Sequence, residues 1–204
     1  ILKHAKMNKI FITVDFSLRL NKEQVLTILR ASPNLIKPNL REFEMLCRYA
    51  GLIEDDYNLN CNNHAKIAEI CGYAKMLSDK FNIPVVIVTL AEKGAIIYSG
   101  DKTYYGYSVI PKEKVKGLLA DGDAFWAGVV FGLLEEQTLE VKKINWKRVF
   151  SIGFKVASAK VQLPGLTMPS MDMVKKQKIR LIPVQPIEED KQAQREMDDF
   201  LSRK

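Results

Sequence analysis

The chain has 204 residues, enough for one sizeable domain with its own core. Its content of 47% hydrophobic and 27% charged residues excludes disorder, and it has no apolar run near the roughly 18 residues of a membrane span. The net charge of +7 comes from Lys and Arg residues that are spread along the chain without a groove-reading motif. Nucleic-acid and membrane binding are therefore not predicted.

The first part of the chain alternates helices and strands. Residues 1–9 resemble the end of a helix already under way, so we expect the domain to be the remainder of a longer one. Residues 10–16, rich in β-branched and aromatic side chains, predict a buried strand, and residues 35–37 predict a short strand that ends at Pro38. Asn21 is placed to cap a following amphipathic helix. A second helix is predicted after Pro38.

The middle of the chain continues this alternation. An amphipathic helix from His64 leads to the apolar run Ile83–Leu90, which is typical of a strand in the covered middle of a parallel sheet. Two further strands are predicted to form a hairpin at Gly100-Asp101. Two long helices follow, one from Ala124 and one that ends before Pro164.

This order predicts an α/β fold with three layers, α/β/α, in which the strands near residues 11–14, 35–37 and 85–89 are parallel. We expect residues 1–180 to form this domain and residues 181–204 to form a charged C-terminal tail, a peripheral helix.

The cysteines and histidines do not predict a metal site. Three cysteines are an odd number without paired ligand spacing, so we interpret them as reduced thiols in a cytosol-like compartment. The two histidines, His4 and His64, lie far apart in polar sequence and are predicted to be solvated.

Three loops fit the place where open parallel sheets bind ligands, beyond the carboxyl ends of the strands. They are "KPNLREFE", "TLAEKGA" and "LLADGDAF", and the last leads into a helix start whose free amides favour anions. Each is weak alone, because Asn-x-x-Glu also caps helices and a glycine after charged residues is an ordinary turn.

Taken in order, the segments resemble the carboxyl-terminal part of a pfkB (ribokinase-like) carbohydrate kinase. "IKPNLREFEML" is similar to the family's Asn-x-x-Glu segment, and "VVIVTLAEKGAIIY" to its nucleotide-proximal strand and turn. "LLADGDAFWAGVVFGLL" resembles its Asp-Thr-x-Gly-Ala-Gly-Asp signature, and "KVASAKVQLPGLTMPSMDMV" its closing helix. The resemblance covers residues 1–178. The segments "VDFSLRL" and "ASPNLIKPN" are more similar to the phosphofructokinase and tagatose-6-phosphate kinase branch of the family.

The resemblance implies a ribokinase-like fold, ATP and Mg²⁺ as cofactors, and a sugar or sugar phosphate as acceptor. The roles that it implies all belong to phosphoryl transfer. They fall to Asp123 as catalytic base; to Ala120, Asp121 and Gly122 as anion hole; to Asn39 and Glu42 as organisers of Mg²⁺ through water; to Thr89 and Gly94 as nucleotide-lining residues; and to Lys37 as a phosphate contact.

The sequence departs from the family pattern in two ways. The amino-terminal sugar pocket and lid are not visible, so we expect this chain alone to be inactive, and a homo-oligomer or a partner to supply that part. The signature has Leu118, Ala120 and Asp121 where the family has Thr, Gly and Ala, and Ala120 restricts a backbone that needs positive φ. Three alternatives stay open: the nucleotide-binding part of a working cytoplasmic kinase, a degenerate domain kept as a structural or interaction module, and a metal-dependent activity of the acid pair outside the family.

Overall fold

The computed structural model describes residues 2–100, 102–108, 110–184 and 199–202. They fall into two compact units, residues 1–105 with 183–204, and residues 106–182. The α-helices are α1 Leu2–Met7, α2 Lys22–Arg30, α3 Leu40–Tyr49, α4 His64–Phe81, α5 Asp121–Leu134, α6 Trp146–Lys160 and α7 Met171–Lys175. The strands are β1 Thr13–Asp15, β2 Leu35–Lys37, β3 Val85–Thr89, β4 Ala95–Ser99, β5 Lys102–Tyr107 and β6 Arg180–Pro183. Short 3-10 turns cover Ala91–Lys93, Lys112–Lys114 and Val141–Lys143.

The strands form one six-stranded sheet in the order β1-β2-β3-β4-β5-β6. β1 pairs with β2 and β2 with β3 in parallel, and helices connect each pair, whereas β3 and β4 are antiparallel from Val85↔Ser99 to Thr89↔Ala95. Parallel strands joined by helical crossovers are the arrangement that the alternating pattern predicts. The α/β fold class and the three predicted parallel strands are confirmed.

The first strand differs from its prediction. β1 covers only Thr13–Asp15, both end residues are exposed, and the strand lies at one end of the sheet order. The prediction of a buried strand over residues 10–16 is therefore wrong. The buried residues of this segment are Ile12 and Phe16, which lie on either side of β1. β-Branched and aromatic residues suit any pleated surface, so composition could not distinguish an edge strand from a covered one.

The core of the first unit centres on β3. Val85 to Val88 are fully buried, as the continuous apolar run predicts, and α3 and α4 contribute fully buried Phe43 and Leu77 among others. Burying aliphatic and aromatic side chains in this way stabilises the fold by roughly 1.5–3 kcal/mol for each side chain.

Side chains cap the starts of α2, α3 and α4 in the first unit. α2 and α3 each begin with a capping box, Asn21 with Gln24 and Asn39 with Glu42, in which the asparagine oxygen and the partner's side chain each accept a backbone N–H. The predicted helix starts are confirmed. Gly51 follows α3 at φ 66°, a conformation that glycine adopts without strain.

The cysteines and histidines lie as follows. All three cysteines are free and buried, and burial raises the pKa of the Cys47 and Cys71 thiols to about 12. These two thiols are thus protonated and unreactive near neutral pH.

The two histidines differ in exposure. His4 is exposed, but His64 is only 8% exposed at the first residue of α4, so the prediction that it is solvated is wrong. Its polar sequence neighbours did not reveal that burial.

In the second unit, α5 and α6 pack at very short range through glycines. A Cβ at Gly128 would lie 2.9 Å from the Gly153 Cα, and one at Gly153 would lie 2.8 Å from Val129. Phe125, Phe150 and Phe154 add edge-to-face contacts. Side chains larger than hydrogen at the two glycines would force the helices apart.

The start of α5 also differs from its prediction. The helix begins at Asp121 instead of Ala124, so Asp121 and Asp123 lie within its first turn. Carboxylates there interact favourably with the positive end of the helix dipole.

Among the described residues, no helix is long and apolar enough to cross a membrane.

Two predictions fall partly outside the described residues. The predicted hairpin turn is one, since Asp101 is not among them, although β4 and β5 flank it. Most of the predicted C-terminal tail, residues 185–198 and 203–204, also lies outside them.

Candidate functional site

The carboxyl ends of β1 and β2 bring two opposite charges together. Asp15 and Lys37 are paired residues in the parallel register, and the Lys37 Nζ lies 3.1 Å from the Asp15 Oδ1. Lys37 is buried, so the carboxylate offsets part of the cost of removing its charge from water. Sequence reasoning selected Lys37 but missed Asp15; the available signal was an acid at the end of a strand that runs parallel to β2.

The Asn39–Glu42 pair forms the capping box at the start of α3. The Glu42 N–H donates to the Asn39 Oδ1 at 3.0 Å, and the Asn39 N–H donates to the Glu42 Oε2 at 2.8 Å. Both side chains are thus fixed by the backbone of their own helix. The capping interpretation of this motif is confirmed, and it orients one carboxylate beyond the end of β2.

The Glu42 carboxyl is buried, and its pKa is raised above the ordinary 4.5. Burial is the main cause, the Asn39 N–H opposes it, and the charges of Asp15 and Lys37 act in opposite directions. The carboxylate therefore lies within the electrostatic range of the Asp15–Lys37 pair.

The oxygen groups of this cluster suit Mg²⁺, which prefers carboxylate and carbonyl oxygens and keeps much of its water. The described residues contain no group of three or more His, Cys, Asp or Glu side chains that could hold a metal ion. The donor set of Glu42 and Asn39 therefore fits an ion held through water and not one enclosed by protein ligands.

Thr89 lies next to this cluster. It forms a parallel bridge with Asn39, and its N–H donates to the Pro38 carbonyl at 3.1 Å. Gly94 follows at the end of a 3-10 turn with φ 104° and ψ −142°, a backbone conformation that favours glycine. The structure thus brings Lys37, Asn39, Glu42 and Thr89 together in the first unit, with Gly94 at the end of the turn after β3.

The start of α5 has no side-chain cap. Ala120 precedes the helix at φ 60° and ψ 25°, in the left-handed region. The glycine that the family pattern has at this position would adopt that conformation more easily. The first intrahelical bond runs from the Ala124 N–H to the Ala120 carbonyl at 2.9 Å. The amides of the three preceding helical residues lie outside the intrahelical ladder, as an anion site requires.

The Asp121 side chain occupies one of those amides. Its Oδ1 accepts the Gly122 N–H at 2.8 Å, whereas Asp123 is exposed in the same turn. The protein thus places its own carboxylate on an amide that the resemblance assigns to phosphate. Sequence reasoning raised this conflict between Asp121 and an anion but could not give the orientation of the side chain.

The loop before α5 is tied to the end of α6. The Lys116 N–H donates to the Val161 carbonyl at 2.8 Å, and the fully buried Lys160 donates to the Gly165 carbonyl at 2.6 Å. Leu118 and Leu119, which follow Lys116 in the loop before α5, are exposed. Because all four lie on loops predicted at strand ends, we expect from the sequence that Glu42, Thr89, Gly94 and Gly122 line one cleft, and this stays a prediction.

Polar loops after parallel strands, and helix starts with amides outside the intrahelical ladder, are each general ligand-binding features of open α/β proteins. The sequence pattern of the pfkB family carbohydrate kinases matches residues 1–172, and the chain belongs to this family.

Individual relatives agree with the family. An ATP-dependent 6-phosphofructokinase from Thermoanaerobacterium thermosaccharolyticum is 33% identical over 93 residues, which are 45% of this chain and 26% of that protein. Phosphofructokinase-2 from Escherichia coli has a similar fold, with a TM-score of 0.63 at 20% identity over 86% of this chain and 48% of its own. A fructokinase from Vibrio cholerae, solved with fructose, ADP and a calcium ion, gives 0.63 at 17% identity over 85% and 52%. The chain thus spans about a quarter of the first relative and about half of the two solved structures.

Proposed function

We propose that this chain is the nucleotide-binding part of a cytoplasmic pfkB-type carbohydrate kinase, which transfers the γ-phosphoryl group of ATP to a hydroxyl of a sugar or sugar phosphate. The observation that carries the proposal is the start of α5, where backbone amides outside the helical ladder lie beside an exposed Asp123. Membership in a family of carbohydrate kinases supports the proposed class of reaction.

Asp123 is the proposed catalytic base. A carboxylate in the first turn of a helix is stabilised in its charged form by the helix dipole, so it is ready to accept the proton of the acceptor hydroxyl. Its exposure leaves room for a substrate to approach.

The amides of Asp121 and Gly122, with the loop residue Ala120, are the proposed anion hole. Phosphoryl transfer spreads negative charge over the equatorial oxygens of the moving group, and fixed amide dipoles stabilise that charge without reorganising. Ala120 precedes these amides in a left-handed conformation and supplies no side-chain cap for them.

The remaining roles belong to the cluster of the first unit. Asn39 and Glu42 are proposed to organise Mg²⁺ through water, and Thr89, Gly94 and Lys37 to contact the nucleotide. When bound, Mg²⁺ would neutralise phosphate charge. The capping box holds the two organising side chains in fixed positions before any ligand arrives, which lowers the entropic cost of binding.

The acceptor is proposed to be a sugar or sugar phosphate because one relative is a 6-phosphofructokinase. We also propose that the isolated chain does not phosphorylate a sugar. Positioning of the acceptor supplies much of the catalysis in this reaction, so a homo-oligomer or a partner is proposed to supply the acceptor-holding part. Sugar-dependent ADP release by the purified chain, abolished in Asp123→Asn, would contradict this.

Titration with an ATP analogue and Mg²⁺, followed by Trp126 fluorescence and by calorimetry, tests nucleotide binding. Trp126 lies in α5, close in sequence to the proposed anion hole, and is the expected reporter. The second tryptophan, Trp146, is buried and bonded to the Val141 carbonyl. Trp126→Phe should therefore remove the fluorescence change but preserve the heat of binding. No saturation by either method at millimolar nucleotide would refute the proposal.

A second candidate function is a catalytically impaired domain that serves as a structural or interaction module. The bond between the Asp121 carboxylate and the Gly122 amide favours it, because an internal anion competes with phosphate. Cooperative unfolding together with an absence of nucleotide affinity in both the native chain and Asp121→Ala would select this alternative.

A further inference from the structure

A pocket of about 460 Å³ lies at the ends of three helices of the first unit. Its lining comes from the last residues of α2, α3 and α4 and from the residues that follow them, including Ser32 and Asn82. Ser32 precedes β2 and Asn82 precedes β3, whereas Asn39, Glu42 and Thr89 lie at or beyond the other ends of these strands. The pocket is therefore separate from the proposed nucleotide cluster.

The polar lining is rich in donors and contains no carboxylate. Five of its side chains can donate hydrogen bonds, and two of these are cations: Arg30, Ser32, Tyr49, Lys80 and Asn82. Leu26, Ala50 and Phe81 supply the apolar part. Arg30, Lys80 and Asn82 are exposed to solvent, so the pocket is an open one. Its apolar part and its two cationic side chains give it a composition suited to a small organic anion.

Neither of the two cationic side chains, Arg30 and Lys80, is paired with an acidic side chain among the described residues. Within the part of the chain that the structure describes, the Arg30 guanidinium has no ion pair or hydrogen bond. The Lys80 Nζ donates to the Ala50 carbonyl at 2.6 Å, which satisfies one open carbonyl at the end of α3 and leaves two of the three donors of the ammonium group. A third cation lies close by, since the Lys6 Nζ is 3.4 Å from the carbonyl of Ala31, between Arg30 and Ser32.

The backbone around the pocket is locally strained. Ser32 has φ 49°, in the left-handed region that costs a serine free energy, and Asn82 has φ 53° as the left-handed C-cap of α4, a conformation that asparagine adopts more easily. These conformations turn the chain sharply from α2 toward β2 and from α4 toward β3, and they place both polar residues at the pocket.

We propose that this pocket binds a small phosphate monoester, with the phosphate on Arg30 and Lys80 and the organic group against Leu26 and Phe81. A planar guanidinium pairs with two phosphate oxygens at once, and the ammonium adds a point charge. The volume holds a ligand of metabolite size. Such a ligand would contact the residues that lead into β2 and β3, and these strands carry Lys37 and Thr89, with the proposed Mg²⁺ residues directly after β2, so it is suited to an effector.

Phenyl phosphate is the first probe, with binding followed by calorimetry and by the backbone NMR signals of Ser32, Ala50 and Asn82. We expect saturable binding in the millimolar range and shifts at these three amides. Arg30→Gln and Lys80→Gln should each weaken binding about tenfold, as expected when one charge-assisted contact is lost. Lys75→Gln is the matched control, because Lys75 lies on α4, pairs with Asp79 and does not line the pocket.

Three comparisons complete the test. Benzyl alcohol, which keeps the ring but lacks the charge, should not bind, and inorganic phosphate should bind more weakly than phenyl phosphate. An ATP analogue should not displace phenyl phosphate. The proposal is overturned if the shifts appear at Gly122 or Thr89 instead, if Lys75→Gln weakens binding as much as Arg30→Gln, or if inorganic phosphate binds as tightly as the ester. Because none of these results depends on nucleotide binding, failure here and failure of the proposed kinase function are distinguishable.

Discussion

The starts of α3 and α5 both belong to segments assigned to phosphate chemistry, yet the protein treats them in opposite ways. At α3, the Asn39 and Glu42 side chains each accept the other's backbone N–H, so the geometry of these two side chains is fixed, while the amides of Leu40 and Arg41 stay outside the intrahelical ladder. At α5, Ala120 offers no cap, and only the Asp121 carboxylate reaches an amide of the first turn. We call these the closed and the open start: reciprocal side-chain bonds fix the first, whereas the second has no N-cap side chain and carries the Asp121 charge on one of its amides.

The largest expected effect comes from opening the closed start. The double substitution Asn39→Ala/Glu42→Ala removes both hydrogen bonds of the capping box and should lower the free energy of unfolding by about 2 kcal/mol. Urea denaturation measures it. The matched control is Asn21→Ala/Gln24→Ala, which removes the same motif from α2, where both bonds are exposed, and should cost about half as much. Equal losses at the two helices would show that burial of the α3 box adds nothing.

Removing the internal anion at the open start is the second test. Asp121→Ala should tighten ATP binding roughly tenfold, because it removes both the charge and the acceptor on the Gly122 amide, with solvent screening reducing the full repulsion. Asp121→Asn keeps an acceptor without the charge and separates these two contributions. Asp123→Ala should give no such gain if that carboxylate faces the acceptor hydroxyl. Unchanged or weaker binding in Asp121→Ala would instead favour a role for Asp121 in holding Mg²⁺.

A smaller effect is expected from relieving the strained residue that precedes α5. Ala120→Gly should raise the free energy of unfolding by roughly 0.5–1 kcal/mol, since glycine adopts positive φ at little cost, although it adds entropy to the unfolded chain. Ala127→Gly, at an exposed position inside the same helix, is the matched control and should lower it by about the same amount. A loss at both positions would mean that the left-handed turn at Ala120 carries no strain.

The smallest expected effect is the pH dependence at the closed start. Because the pKa of the Glu42 carboxyl is raised in the folded protein, the native state holds that proton more tightly than the unfolded chain does. The free energy of unfolding should therefore fall as the pH rises from the ordinary carboxyl pKa of 4.5 through the raised pKa of Glu42. Glu42→Gln keeps an acceptor for the Asn39 N–H and should remove that fall. Urea unfolding measured across this pH range tests the prediction. Glu23→Gln, at an exposed position, is the reference for the loss of one carboxylate. The same dependence of the free energy of unfolding on pH in Glu42→Gln and in the native chain would contradict it.

Local patterns predicted much of this arrangement. Asn39 and Glu42 are three residues apart, so a capping box could be expected from the sequence, and the apolar run before Thr89 predicted a covered strand. The start of α5 was placed too late because Gly122 is a poor helix former and Ala120 is not a capping residue, so neither marks a helix boundary.

The remaining features depend on distances between segments that are far apart in sequence. The Asp15–Lys37 ion pair follows from the parallel register of β1 and β2, which no local pattern specifies. The burial of His64 likewise depends on tertiary packing. The bond from Gly122 to Asp121 joins neighbouring residues, but it rests on a side-chain rotamer that the sequence leaves open.

The glycine contacts between α5 and α6 have a mechanical consequence. Because Gly128 and Gly153 bring the two backbones together without intervening side chains, the helices have little freedom to slide past each other. Gly128 lies against Val156 and Gly132 against Val149, so the helices are antiparallel, and a displacement at the first turn of α5 would carry α6 with it as far as its start at Trp146. The pair transmits motion along its length instead of absorbing it.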